Sequence, residues 1–453
     1  MSRDPFEEKK KHFDLWIHGG TLVSMDPSRS IYESAGLGVI DGRIVYVGPQ
    51  QNAEYQSAKT TIDAKGKWIL PGLINGHSHV AMTLFRGLAD DRMLMDWLQH
   101  FIWPAEAKHA DENFVYTGSL LGCMEMMAAG ITCFADMFFH AHSVARAIDH
   151  TGMRAISGQN LIDFPTPDNP KGWDEGLELA REFHDHWKDH RRITPGLAPH
   201  SPYAVSPEHL IQAHQLSQEL QAPFLIHVAE PETEVQQIQE NFGKKANSVI
   251  EYLYDIGILD SRMIAAHVIW TPGVKDLERL EHAQVGVVHC PHSNMKLASG
   301  TARIPAMIKQ GIAVGLGTDG AASNNDLSLW EEMDLAAKLH KLIEKDPTVM
   351  PAQSVFEMAT IEGARSISMQ HEIGSLEVGK KADVILVDRD TPHQMPCYNP
   401  YSQLVYATKS SDVSTVIVDG EVVYRDRNFL QVDKSKVFSD VETYRSLLAQ
   451  DLS

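Results

Sequence analysis

Two histidines separated by a single residue, His77 and His79, close an apolar run that reads Leu70-Pro71-Gly72-Leu73-Ile74-Asn75-Gly76. If that run is a strand, alternate residues point to one face and the two imidazoles share it. An HxH pattern is weak by itself, because 23 histidines in 453 residues produce one by chance roughly once per chain. Two more do occur. His140/His142 follows a second apolar run, and His184/His186 lies in the polar stretch 183–190, which reads as a solvated helix. The pattern sharpens further along, where three β-rich runs end in Leu225-Ile226-His227-Val228-Ala229-Glu230, in Ala265-Ala266-His267 and in Gly315-Leu316-Gly317-Thr318-Asp319-Gly320. Any one of these side chains is more readily a satisfied core residue than a ligand; their joint placement reverses that preference. Three neutral imidazoles and a carboxylate suit Zn²⁺, and Fe²⁺, Mn²⁺ or Co²⁺ accept the same donors. The expected ligands are His77, His79, His227 and Asp319, with one position left for water. The run ending Thr194-Pro195-Gly196-Leu197-Ala198-Pro199-His200 has no lysine that could be carbamylated to bridge two ions. One divalent ion per chain is therefore expected.

Such residues need a scaffold that gathers chain-distant strand ends. Strand-like runs fall at 69–79, 131–137, 154–161, 193–200, 224–230, 263–269, 285–290 and 313–319, with room for helices between them, as at 113–129, 207–220 and 244–256. Eight alternating units predict an α/β fold, a parallel (β/α)₈ TIM-type barrel whose chemistry sits at the C-terminal ends of its strands. An open doubly wound sheet is the alternative, but no GxGxxG follows any of the runs. The two chain ends read differently. Val39 to Val47 and Val416 to Tyr424 both run strand, Asp-Gly turn, strand, and neither end shows long helical periodicity. The ends are expected to form one small β-sandwich-like domain, residues 1–70 with 371–453, around a barrel of residues 71–370.

Composition sets outer limits. With 43% hydrophobic and 22% charged residues the chain is globular. A formal net charge of −20 repels polyphosphate, so no nucleic-acid polymer is expected as partner, although an unphosphorylated nucleoside is not repelled. Four scattered cysteines (Cys123, Cys133, Cys290, Cys397) form no CxxC, and the polar start, Met1 to Asp14, has no signal-like apolar run. No stretch reaches the roughly 20 apolar residues that span a bilayer. A reduced, cytoplasmic protein without a membrane partner is the expectation, and a homo-oligomer is compatible with it.

The segment Gly72 to His79, with His227, Glu230, His267 and Gly317-Thr318-Asp319-Gly320, resembles the amidohydrolase superfamily across the whole barrel. Within it, Leu84 to Asp91, Trp103-Pro104-Ala105-Glu106, Ala198 to Tyr203 and Gly317 to Asn325 resemble the branch of 5-methylthioadenosine/S-adenosylhomocysteine deaminases and triazine hydrolases. The resemblance implies that Glu106 holds the ribose hydroxyls and that His200 contacts the nucleoside. Members that handle S-adenosylhomocysteine well can carry arginines after strand three and in the next loop. Here those stretches read Ile156-Ser157-Gly158-Gln159-Asn160 and Lys171-Gly172-Trp173, so the uncharged 5′-methylthioadenosine is the better fit, with adenosine open. The run Met93 to Leu98 reads either as a wall for a thioether or as an ordinary amphipathic helix.

The chemistry implied is hydrolytic deamination of an adenosine-type ring, releasing ammonia and an inosine-type product. Asp319 accepts a proton from water, His267 orients the attacking oxygen or stabilises its charge, and Glu230 delivers a proton to the ring nitrogen. Hydrolysis of a chlorotriazine, guanine or another aminated heterocycle is the rival within the fold; a catalytically silent barrel is the rival outside it. The cytidine-deaminase type of zinc site is excluded, since it needs a PCxxC that the chain lacks.

Overall fold

The computed structural model describes residues 11–53 and 55–451. Its centre is a closed barrel of eight parallel strands: β1 Leu73–Ser78, β2 Ile131–Phe138, β3 Arg154–Leu161, β4 Ile193–Pro199, β5 Phe224–Val228, β6 Met263–His267, β7 Gly286–His289 and β8 Val314–Leu316. Neighbours follow chain order, and β8 pairs with β1 through Leu316 and Asn75 to close the ring. The inside is packed by alternate side chains, among them Ile74, Ala135, Ile156, Leu225, Ile264 and Val288, so the barrel is a core and not a pore. The open doubly wound sheet is excluded by this closure.

Helices cover the outside where the apolar spacing asks for them. Pro207–Leu220 matches its expected span and turns Leu210, Ala213 and Leu216 inward at helical intervals. The stretch expected as helix over 244–256 is shorter, Val249–Asp255, because Ser248 caps it by accepting the Glu251 N–H at 3.0 Å.

The run expected as one strand over 69–79 is two. Residues Lys67–Pro71 belong to a sheet of the chain ends and β1 starts at Leu73. The break falls at Gly72. Its N–H donates to Asp383 O at 3.0 Å, on the side of the end domain, whereas the next N–H, of Leu73, donates to Gly130 O at 3.0 Å on the barrel side. A Cβ at Gly72 would fall inside the Thr132 side chain, so only glycine fits the crossing.

Both chain ends do fold together. Arg43–Pro49, Ala35–Ile40, Lys11–His18 and Tyr55–Asp63 form a four-stranded sheet, in that order. A seven-stranded sheet mixes the ends, with Val384–Asp388 from the late chain pairing antiparallel to Lys67–Pro71 from the early chain. Leu15, Ile17, Leu37 and Val39 of the first sheet pack with Leu22, Ile69, Val384 and Ile417 of the second. The two Asp-Gly turns, with φ of 49° and 72° at Asp41 and Gly42 and 53° and 79° at Asp419 and Gly420, take the left-handed form this turn requires. They meet at Ala382, which donates to Gly42 O at 2.8 Å and accepts from Gly420 N–H at 3.0 Å.

One expectation fails here. The late end carries a helix of 18 residues, Lys434–Asp451. Val437, Val441, Tyr444 and Leu448 recur at intervals of four, three and four, a helical period that polar neighbours hide in a linear reading. This stripe packs on the helix Glu112–Ala128, where Phe114 and Tyr444 meet edge to face at 5.2 Å.

Candidate metal centre and active-site cleft

The strand-end residues nominated from sequence converge at one mouth of the barrel. The ring centroids of His77 and His227, 150 residues apart in the chain, lie 5.0 Å from one another, and His79 is 4.9 Å from the first and 5.2 Å from the second. Asp319 Oδ1 stands 3.4 Å from His77 Nε2 and 3.3 Å from His79 Nε2. His267 completes the group, 5.5 Å from His77 and 5.6 Å from His227 by ring centroid. Donor atoms of His77, His79 and Asp319 all lie within 4.8 Å of one another, as do those of His77, His227 and His267.

Each imidazole is aimed by its other nitrogen. His79 Nδ1 is 2.7 Å from Met137 O and His227 Nδ1 is 2.7 Å from His200 O. A carbonyl only accepts, so both Nδ1 atoms carry a proton and both Nε2 atoms face the cluster. Those two Nε2 atoms stand 3.1 Å apart. Ring nitrogens at that distance need a positive charge between them, either a proton shared on His79 Nε2 or a metal ion that replaces it. His77 Nε2 and His267 Nε2 are buried without a hydrogen-bond partner, the kind of orphaned polar atom that calls for an ion or a bound group. The donor set therefore fits a divalent cation.

Electrostatics agree. Burial holds the His77 imidazole down to about 4 and that of His227 well below its ordinary range, so both are neutral donors. Burial also pulls on His79, but the adjacent Asp319 outweighs it and raises the group to about 9. Burial works to raise Asp319, and the adjacent His77 and His79 imidazoles overcome that, leaving the carboxylate well below its usual range. Charge of one sign is thus fixed at Asp319, and charge of the other is favoured beside it.

The backbone is bent to deliver these groups. Ala229, His267, Val268 and Asp319 have φ of 51°, 72°, 47° and 59°, a region that side chains seldom occupy, and all four lie at or just beyond the ends of β5, β6 and β8. Hydrogen bonds hold the bends. Asp319 N–H donates to His77 O at 3.0 Å, and Asp319 Oδ2 accepts from Ser293 Oγ at 2.7 Å and Ser323 Oγ at 2.8 Å. His267 Nδ1 is 2.8 Å from Asn294 Oδ1. These supporting serines and Asn294 escaped the sequence reading. Nothing in the local pattern marks them, although Ser323 lies four residues after Asp319 at the start of a short helix, Ala321–Asn324.

A cleft opens from the cluster. Glu230, buried and two residues beyond β5, places Oε2 3.9 Å from His267 Nε2, and burial raises its carboxyl. Glu106, on the helix Trp103–His109, lines the same cleft, and burial pushes it up to about 8, so near neutral pH it can both donate and accept hydrogen bonds. His200, just past β4, has its ring 4.8 Å from that of His227, and burial lowers it to about 3. Trp97, Leu98, Trp103, Phe138 and Phe164 supply apolar walls. The run 93–98 is helical over Leu94–Trp97 and lines the cleft as well, though Met93 itself is 71% exposed. No lysine or arginine is among the described residues that line the cleft. His140/His142 and His184/His186 stay outside it: His142 and His186 face each other, rings 5.4 Å apart, on the helical layer.

A barrel that collects four histidines and an aspartate at its C-terminal mouth defines a class of hydrolase, and comparison with known proteins names it. Residues 68–423 match the amidohydrolase family. The chain belongs to that family of metal-dependent hydrolases. It is 43% identical to the 5-methylthioadenosine/S-adenosylhomocysteine deaminase of Syntrophobacter fumaroxidans, over 94% of this chain and 97% of that one. It is 41% identical to the 5′-deoxyadenosine deaminase of Methanosarcina mazei, over 95% and 97%. Among solved structures it resembles an adenosine deaminase from Xanthomonas campestris with bound zinc, with a TM-score of 0.94 at 34% identity, covering 97% of this chain and 99% of that one.

Proposed function

We propose that this protein hydrolytically deaminates adenosine-type nucleosides whose 5′ substituent is small and uncharged, with 5′-methylthioadenosine the preferred substrate. The observation that carries the reading is the cleft itself: a buried carboxyl at Glu106 for a sugar diol, apolar walls, and no lysine or arginine among the described lining residues to pair with the amino-acid carboxylate of S-adenosylhomocysteine. The names of the relatives from Syntrophobacter and Methanosarcina support adenosine-type nucleosides as the substrate class, the former naming S-adenosylhomocysteine beside 5-methylthioadenosine. A bare triazine would leave Glu106 without a partner, which disfavours the chlorotriazine reading.

His77, His79, His227 and Asp319 would hold one zinc ion per chain, with Fe²⁺, Mn²⁺ and Co²⁺ as substitutes. Such an ion supplies Lewis acidity that lets a water ionise at a pKa of about 7. Around it the side chains divide the work. Glu106 binds the ribose hydroxyls and His200 lies against the nucleoside. Asp319 takes the proton of the attacking water. Glu230, whose protonated form burial favours, passes its proton to the ring nitrogen beside C6, which makes C6 electrophilic. His267 steadies the charge on the adding oxygen. The proton held by Asp319 then passes to the amino group, which leaves as ammonia, and the C6 hydroxyl proton returns to Glu230 to give the inosine-type product.

Residues 71–370 form the catalytic unit in this reading, and 1–70 with 371–453 its companion. Cys123, Cys133, Cys290 and Cys397 are unpaired, which supports a reducing, cytoplasmic setting. No helix among the described residues is long and apolar enough to cross a membrane.

The test is a substrate panel on zinc-loaded protein, followed by the ultraviolet change from adenine to hypoxanthine. 5′-Methylthioadenosine and 5′-deoxyadenosine should turn over with higher kcat/KM than S-adenosylhomocysteine. Absence of turnover with every adenosine-type compound sinks the proposal, and metal analysis giving two ions per chain sinks the mononuclear site.

A further inference from the structure

The residue between the two first-strand histidines does not face the cavity. Ser78 turns towards β2, where its Oγ lies 3.1 Å from Ala135 O and 3.2 Å from Asp136 Oδ1. The residue after His79 is held from the same place, because Val80 N–H donates to Asp136 Oδ1 at 2.6 Å. The ring of His79 is held one residue further on, by Met137 O. Both chain neighbours of His79 and its own imidazole are therefore fixed by three consecutive residues of β2, with Asp136 at the centre.

Asp136 is fully buried, and its second oxygen, Oδ2, has no hydrogen-bond partner. Its other oxygen, Oδ1, takes both of the contacts described above, from the Ser78 hydroxyl and the Val80 N–H. A buried carboxylate without a countercharge is costly, and one that clamps a ligand segment finds its countercharge in whatever cation that ligand binds. Partners that orient ligands in this way commonly set metal affinity without touching the metal.

We propose that Asp136 is a positioning residue of the metal centre, which locks the Ser78–Val80 segment so that His79 Nε2 points at the ion and which contributes negative charge behind that ligand. This inference rests on the reading that His77, His79, His227 and Asp319 hold a divalent cation. The role predicts weaker metal binding on its loss, separate from any effect on folding.

The experiment titrates zinc into metal-stripped full-length protein against a chromophoric chelator, for wild type, Asp136→Asn, Asp136→Ala and His77→Ala, with the melting temperature of each stripped protein measured alongside. Asp136→Ala should bind zinc about 10–100-fold more weakly than wild type. Asp136→Asn, whose amide oxygen can still accept the Val80 N–H but carries no charge, should lose about tenfold. Unchanged zinc affinity in Asp136→Asn overturns the inference, whatever the melting temperature does, and that variant decides the matter if Asp136→Ala fails to fold. A His77→Ala protein that binds as tightly as wild type overturns the metal-centre reading itself, a separate result.

Discussion

Glu230 and Asp319 are both buried carboxyl groups at the barrel mouth, yet their surroundings drive them apart. Asp319 is surrounded by imidazoles and serine hydroxyls that hold it ionised, while Glu230 meets mostly apolar burial that favours its neutral form. Two carboxyls tuned in opposite directions suit the proposed division into base, Asp319, and acid, Glu230. Glu230→Gln should therefore retain its metal and lose turnover, by on the order of 10²–10⁴-fold. Metal loss in that variant would contradict the role. The sign of the pH dependence follows too. In the proposed mechanism the acid form of Glu230 is the active one, and burial shifts its pKa upward, so kcat should be retained at lower pH and decline as pH rises through the raised pKa. A kcat that instead climbs across that range would remove Glu230 as the proton donor.

At the scale of elements, the crossing from the end domain into the barrel depends on one residue without a side chain. Gly72 sits where Lys67–Pro71 hands over to β1, pressed against Thr132 at the start of β2. Gly72→Ala should destabilise the protein by about 1–3 kcal/mol through overpacking. Thr132→Ala made in the same chain should recover part of the loss, because it removes the two nearest atoms, Oγ1 and Cγ2, and leaves only Cβ to shift. Thermal unfolding of the single and double variants reads this directly, and a double variant no better than Gly72→Ala would place the strain elsewhere. Since β1 carries His77, the single variant is also expected to disturb metal content more than its stability loss alone would suggest.

For the molecule as a whole, the end domain is tied to the barrel by a buried ion pair. Arg154, the first residue of β3, donates from Nε to Asp383 Oδ2 at 2.7 Å and from Nη2 to Asp383 Oδ1 at 3.0 Å, with both side chains no more than 4% exposed. Asp383 also accepts the Asp419 N–H at 2.8 Å, so the same carboxylate supports the second Asp-Gly turn. Removing one partner leaves the other charged and buried, and Arg154→Ala should cost about 3–5 kcal/mol. Proteolysis should then cut first where the end domain meets the barrel. An Arg154→Ala protein with wild-type melting behaviour and protease resistance would show that this ion pair is not what holds the two parts together.

Much of this protein was readable from its chain. Apolar runs and their spacing are local properties, so eight strands, most helices and the pairing of the two ends follow from patterns that span a dozen residues. The chemistry-bearing residues were legible because a barrel rule says where strand ends go, and His77, His79, His227, His267 and Asp319 all stood at such ends. Tertiary structure alone decided the rest. The split at Gly72 depends on Thr132, some sixty residues away, and the helix Lys434–Asp451 exists because a partner helix covers its stripe. The supports of the site, Ser293, Ser323, Asn294 and Asp136, act through contacts between different loops and strands. A hydrogen bond across the fold leaves no periodicity in the sequence, so only the assembled molecule shows it.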